Sequence, residues 1–262
     1  MTTFLDELRI LIFKLLRRVF SKRKRLARKY LRGSGLEIGA LARPLFIPPG
    51  ASVKYLDKTS REEAARTHPD QDSSKLVEVA IIDDGFTLAS VQDASFDFLI
   101  TNYVLEHTPN PVLALLNWSR VLRPGGILYL CLPFAARTFD RGREITPPQH
   151  MLEDYQLILQ NRSASFELSN RRHLVEWITI SEPNILKKRD RQYVPPSTQV
   201  VQKRVAEEDI STTNELHFHT FSHPSLRGFL ALFTTQIDPS LEIREVVSNI
   251  TEGIAILRKK PL

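Results

Sequence analysis

The sequence predicts an α/β chain: a Rossmann-like, doubly wound, mostly parallel seven-stranded sheet with an antiparallel edge strand. An amphipathic helix precedes it and a helical insertion interrupts it. Three observations predict this architecture. Short apolar runs alternate with helical periods from residue 33 to residue 132, as parallel strands do when crossovers cover both faces. One run passes into a glycine turn at Ile38-Gly39, and a second ends on an acid, Asp57, as in nucleotide-binding crevices. Near the end of the sequence, Leu241–Val247 and Gly253–Arg258 are apolar runs with only a short link, which suits an antiparallel pair.

Residues 4–31 read as one helix. Phe4, Leu5, Leu8, Leu11, Ile12, Leu15, Leu16 and Val19 recur at three- and four-residue steps and form an apolar stripe. Residues 1–32 hold 11 Lys/Arg against Asp6 and Glu7 (11 − 2, +9), and the remainder holds 25 basic and 28 acidic residues (25 − 28, −3). The net charge of +6 therefore belongs to this segment. Three readings stay open: a helix packed on the core with a solvated basic face, an in-plane helix making a peripheral membrane contact with anionic lipid, or a nucleic-acid arm. A near-neutral body argues against nucleic acid as a partner.

Arg32-Gly-Ser-Gly35 is expected to end this helix through a left-handed glycine. Leu36–Gly39, Val53–Leu56, Val77–Ile82, Phe96–Thr101 and Ile127–Leu132 then read as strands. Asn110–Val121 reads as a helix ending at the turn Arg123-Pro-Gly-Gly126. Residues 33–262 are taken as one domain, with Phe139–Thr234 as an insertion or lid because it is rich in His, Arg and Pro and lacks the alternation.

With 42% apolar and 25% charged residues, the chain has enough greasy surface for a full core, which excludes a disordered or polytopic membrane protein. The single Cys131 excludes an internal disulfide and a multi-cysteine zinc site, and it suits a reducing compartment. No apolar run approaches the roughly 18 residues that span a bilayer. The start lacks the form of a secretory signal, so a cytoplasmic location is expected.

At the first turn Gly39 is followed by Leu41 and Arg43, where a dinucleotide fingerprint would place its second and third glycines. A diphosphate needs close backbone approach, so a ligand with ribose but no diphosphate fits better. Asp57 stands where a carboxylate accepts from both ribose hydroxyls. Asp83 and Asp84 close the third strand and offer a carboxylate to an exocyclic amine; two turn-forming aspartates are the plainer alternative.

Leu36–Ala40, Asp57, Asp83-Asp84-Gly85, Phe96-Asp97-Phe98, Asn102–His107 and Val121-Leu-Arg-Pro-Gly-Gly126 stand in the order and spacing of class I S-adenosylmethionine-dependent methyltransferases. Over about residues 35–135 the chain most resembles the type 11 group. The resemblance implies S-adenosyl-L-methionine as cofactor and in-line methyl transfer. It places Glu37, Gly39 and Ala40 beside the methionine part, Asp57 on the ribose, Asp84 with its neighbour Asp83 at the adenine, and Asn102 with Tyr103 as the pocket floor. It further implies an O-methylated small molecule or glycan, lipid-linked if the basic helix meets a membrane. A catalytically silent cofactor-binding module and an RNA methyltransferase using the basic N-terminus are the competing readings.

Acceptor chemistry falls to the insertion. His150, His173, His217 and His219 are its candidate catalytic residues, with hydrogen-bonded structural histidines at the packing edge as the alternative; His107 is a rival base, with helix capping as the alternative for it. His217 and His219 alternate on an extended segment, and His173 and Glu176 are three apart on a helix. Were these four groups to converge, they would suit proton transfer or a metal; no metal is assigned from the sequence. Arg141 and Arg143 are candidate ligands for an acidic sugar or phosphate, with simple solvation as the alternative. Residues 187–209 read as a mobile lid, and Cys131 as core.

Overall fold

The computed structural model describes residues 21–69, 71–208 and 216–261. Its sheet comprises β1 (Gly33–Ile38), β2 (Ala51–Asp57), β3 (Ile81–Ile82), β4 (Phe96–Asn102), β5 (Leu122–Pro133), β6 (Leu241–Asn249) and β7 (Glu252–Lys259). The strand order is β3-β2-β1-β4-β5-β7-β6. The first five pair in parallel, and β7 runs antiparallel to both β5 and β6. This is the predicted doubly wound sheet, with its antiparallel strand one position in from the edge.

Period-two alternation sends neighbouring residues to opposite layers. Leu36, Ile38, Leu99, Leu128 and Leu257 join one core with Leu115 and Trp118 of α3 (Pro111–Val121) and Leu226, Phe229 and Leu230 of α8 (His223–Leu232). Phe98, Ile100, Tyr129, Cys131, Ile254 and Ile256 join the other with Leu26 and Ala27 of α1 (Lys22–Tyr30). Cys131 is therefore core, as its apolar strand requires. On α1, Arg23 pairs with Glu252 and Lys29 with Glu245, so this stretch of the basic segment is docked on the sheet. The apolar stripe Phe4–Val19 lies outside the described residues. No helix among the described residues is long and apolar enough to cross a membrane.

Three local expectations are corrected. The helix ends on an extended Leu31 (φ −84°), and the left-handed residue is Gly33 (φ +78°) inside β1. There the Asp97 carboxylate fills the space that a Cβ would need. Only Ile81–Ile82 of the predicted Val77–Ile82 strand pairs, because the Val77 amide donates instead to Leu41 O in the loop after β1. Arg123-Pro-Gly-Gly126 is a bulge within β5 rather than a turn before it: the register passes from Phe96↔Leu122 to Phe98↔Ile127, with Gly125 at φ +82°.

Beyond β5 lie α4 (Pro148–Leu159), α5 (Ser163–Glu176), a π-helical turn at Trp177–Ser181, α6 (Glu182–Arg189) and α7 (Thr198–Glu207); α2 (Arg61–Thr67) follows β2. Leu174, Trp177, Ile178, Leu216 and Phe218 give the helical excursion its own small core. Within 187–208, Thr198–Glu207 is helical and Arg204 pairs with Glu182 and Glu208; Asp209 lies outside the described residues.

Candidate functional site

The strand order reverses between β1 and β4, and ligands of open α/β sheets bind outside the carboxyl ends of strands at such a point. Glu37 and Gly39 end β1 here, and Asn102 ends β4. Gly39 takes φ +66°, and a Cβ there would come 3.3 Å from Val104 Cγ2. Ala40 follows as a buried residue. Glu37 is fully buried; its oxygens accept from the Leu45 amide at 2.9 and 3.1 Å and from Asn102 Nδ2 at 2.9 Å. Burial pushes its pKa up to about 7 against the lowering effect of those donors. Asn102 Oδ1 is buried with no hydrogen-bond partner.

Asp57, at the tip of β2, accepts at Oδ1 from the Lys58 amide at 2.7 Å, and burial raises its pKa. It pairs in register with Ile82, whose apolar side chain is 61% exposed. The two aspartates after β3 differ. Asp83 spends both oxygens on the loop, on the amide of Asp84 and on the amide and hydroxyl of Ser90. Asp84 caps the amides of Phe86 and Thr87 through Oδ1 alone, and its Oδ2 is 3.9 Å from Lys58 Nζ. The plainer reading of the pair, turn formation, thus holds for Asp83 and half of Asp84. Tyr103, at φ +58°, donates its hydroxyl to Glu252 Oε2 at 2.5 Å, while the Arg23 guanidinium lies 5.2 Å from its ring centre. Burial raises its phenol pKa.

The insertion's histidines form two groups rather than one. In the first, His217 Nδ1 lies 2.6 Å from Asp140 Oδ2, and the ring of His107 meets that of His217 edge-on at 4.7 Å. Ser181 Oγ donates to Asp140 Oδ1 at 2.7 Å, and Arg143 Nη1 lies 3.1 Å from the same oxygen. Glu106 lies in this group with neither carboxylate oxygen partnered, and burial raises its pKa to about 7. In the second group, Nε2 of His150 and His173 are 3.0 Å apart, and the rings of His173 and His219 are centred 4.8 Å apart.

Several expectations change. Residues 216–220 are irregular, so the two-residue alternation does not hold and His217 and His219 part company. Arg143 lies between the groups, fully buried, pairing with Asp140 and Glu176 and donating to the carbonyls of His217 and Phe218. It is thus structural rather than a ligand for an acidic sugar, and Glu176 is drawn to it instead of to His173. The α3 cap is Asn110, whose side chain accepts from the Leu113 amide. His107 Nδ1 instead lies 3.2 Å from Leu216 O, and burial, with His217 nearby, drops its pKa to about 3.

Residues 33–130 match the family model described as methyltransferase domain. Over those residues the chain carries a methyltransferase domain. No curated protein matches the chain. Among solved structures, it is similar to an S-adenosylmethionine-dependent methyltransferase from Methanosarcina mazei at 19% identity and TM-score 0.44, covering 90% of this chain and 98% of the other. One from Aquifex aeolicus is 12% identical at TM-score 0.44, covering 93% and 91%. The CurJ carbon methyltransferase is 13% identical at 0.42, covering 87% of this chain and 49% of its own. None of these three reaches a TM-score of 0.5; the assignment rests on the domain match and the strand tips.

The methyltransferase's cofactor is S-adenosylmethionine, and the crevice fits it. The unpartnered Asn102 Oδ1 suits the ammonium of the methionine end, Asp57 the ribose diol, and Asp84 Oδ2 the adenine amine. Ile82 offers apolar surface beside the acids. Sequence reasoning missed Ile82, Glu106 and Asp154; only Asp154 had a signal, lying four residues after His150 on one helix.

Proposed function

We propose that the methyltransferase transfers its methyl group to an oxygen of a small molecule or glycan, lipid-linked where residues 1–32, with their net +9, meet a membrane. The Asp140–His217 pair carries this reading. When bound, S-adenosylmethionine supplies a sulfonium-activated methyl, so positioning provides most of the rate enhancement. Asp57 and Asn102 hold and orient; Glu37 keeps the two strand tips together. An alcohol acceptor must also lose its proton. Asp140, itself held by Ser181 and Arg143, engages His217 Nδ1 and leaves Nε2 to take that proton. His107, neutral and tied to Leu216 O, packs against the His217 ring and orients it. Two cations that an RNA arm would use, Arg23 and Lys29, are already paired with Glu252 and Glu245.

The test follows a methyl label from the cofactor into a cell extract by mass spectrometry, with wild type and His217→Gln compared. The expected product is an O-methyl small molecule or glycan, with turnover roughly 10²–10⁴-fold lower in the variant and S-adenosylhomocysteine affinity retained. Equal turnover in His217→Gln, or label on nitrogen, carbon or RNA, would overturn the proposal.

A further inference from the structure

We propose that His150, His173, His219 and Asp154 form a binding site for one divalent transition-metal ion, zinc by the chemistry of its donors. The site does not rest on the acceptor reading above. Its residues come from three places in the chain: His150 and Asp154 from α4, His173 from α5, and His219 from the segment before α8. One ring nitrogen from each histidine lies within 4.8 Å of the other two. The His150–His173 nitrogens are 3.0 Å apart, and Asp154 Oδ2 is 3.3 Å from His150 Nε2. Donors about 2.0–2.1 Å from a tetrahedral zinc stand about 3.3–3.5 Å from each other, so these two spacings already approach the edges of such a shell.

Two unsatisfied atoms point to a ligand rather than to a hydrogen-bonded trio. Asp154 and His219 are each only 1% exposed, yet Asp154 Oδ2 and His219 Nδ1 have no hydrogen-bond partner. A buried polar atom left so costs about 1–3 kcal/mol; a cation held by the three histidines relieves His219 Nδ1 directly, and Asp154, 3.3 Å from His150 Nε2, completes the shell by a small shift of the exposed His150 side of α4. His219 Nε2 meanwhile lies 3.4 Å from Pro109 O, the backbone carbonyl contact that commonly fixes the tautomer of a ligating histidine. Three imidazoles and one carboxylate make a nitrogen-rich, borderline donor set that suits zinc over magnesium or calcium. The side chain of His150 is 26% exposed, which gives the ion its way in and lets that ring close the remaining gap. The ion would pin α4 and α5 to the segment before α8, whose His219 also meets Pro109 in the loop that follows β4.

The experiment uses untagged full-length chain, stripped by chelator and titrated with Co²⁺, then with Zn²⁺. One equivalent of Co²⁺ should give the visible bands of a four-coordinate site, and Zn²⁺ should displace it. His150→Gln, at the most exposed ligand, and Asp154→Asn should each weaken Co²⁺ binding at least roughly 10-fold, with S-adenosylhomocysteine affinity retained as proof of fold. Loss of folding on stripping that one equivalent of Zn²⁺ restores would also support the site. Failure of stripped wild type to take up either ion while it still binds S-adenosylhomocysteine overturns it. So does Co²⁺ binding unchanged in both variants.

Discussion

Asn102 Nδ2 donates to Glu37 Oε1 at 2.9 Å and so joins the carboxyl tips of β4 and β1 across the point where the strand order reverses. The bond occupies one side of the amide and leaves its oxygen buried and open to a donor. One half of this side chain thus joins two strand tips while its other half stays unpartnered.

The acids around this crevice should separate by function. Asp57 accepts only from the neighbouring backbone amides of Lys58 and Thr59, and Asp83 has its two oxygens filled by the loop. Asp57→Ala should weaken S-adenosylhomocysteine binding roughly 10- to 100-fold, since charge-assisted hydrogen bonds to the ribose are lost. Asp83→Ala should instead lower the melting temperature. Calorimetric titration beside thermal melts distinguishes them, and a larger affinity loss in Asp83→Ala would reverse the assignment.

Gly39→Ala should be costly twice. The left-handed backbone strains any Cβ, by about 1–3 kcal/mol, and that Cβ sits 3.3 Å from Val104 at the mouth of the crevice. Both cofactor affinity and Tm should fall; a variant indistinguishable from wild type in both would show that the turn is not part of the site.

Glu106 makes stability pH-dependent in a definite direction. Burial raises its pKa to about 7 from 4.5, so between these values the folded chain holds a proton that the unfolded chain has released. Its contribution to stability therefore falls as pH rises from about 4.5 through 7. Glu106→Gln removes the buried charge and should be more favourable at pH 8 than at pH 4.5 by on the order of 2 kcal/mol. Denaturant unfolding at the two pH values measures the difference; an equal effect at both would rule this out.

Arg143→Met should destabilise by about 3–5 kcal/mol, because Asp140 and Glu176 would lose their shared cation inside the fold. Chemical denaturation reads the loss. A variant of normal stability would mean the guanidinium is free to serve a ligand.

The sheet was legible because a buried parallel strand is apolar along its length, which marks Phe96–Thr101 of β4 and Ile127–Leu132 of β5 directly, while β1 and β2 show only through the short apolar runs beside Gly39 and Asp57. Three residues at the strand tips, Gly39, Asp57 and Asn102, were legible through spacing. Asp83 and Asp84 were indistinguishable in sequence, since both precede glycine in a turn; only the loop's hydrogen bonds separate them. The insertion resisted most, as its residues meet partners far away in the chain.

The order of apolar runs and turns alone determined the doubly wound sheet and the crevice at its carboxyl edge, because both follow from local periodicity and the handedness of crossovers. Which histidines share a site was decided only by the tertiary structure. Arg143 demands the buried Asp140 carboxylate, the half-buried Glu176 carboxylate and backbone carbonyls, from three separate segments, and meeting that demand pulls His217 toward Asp140 and leaves His219 with His150 and His173.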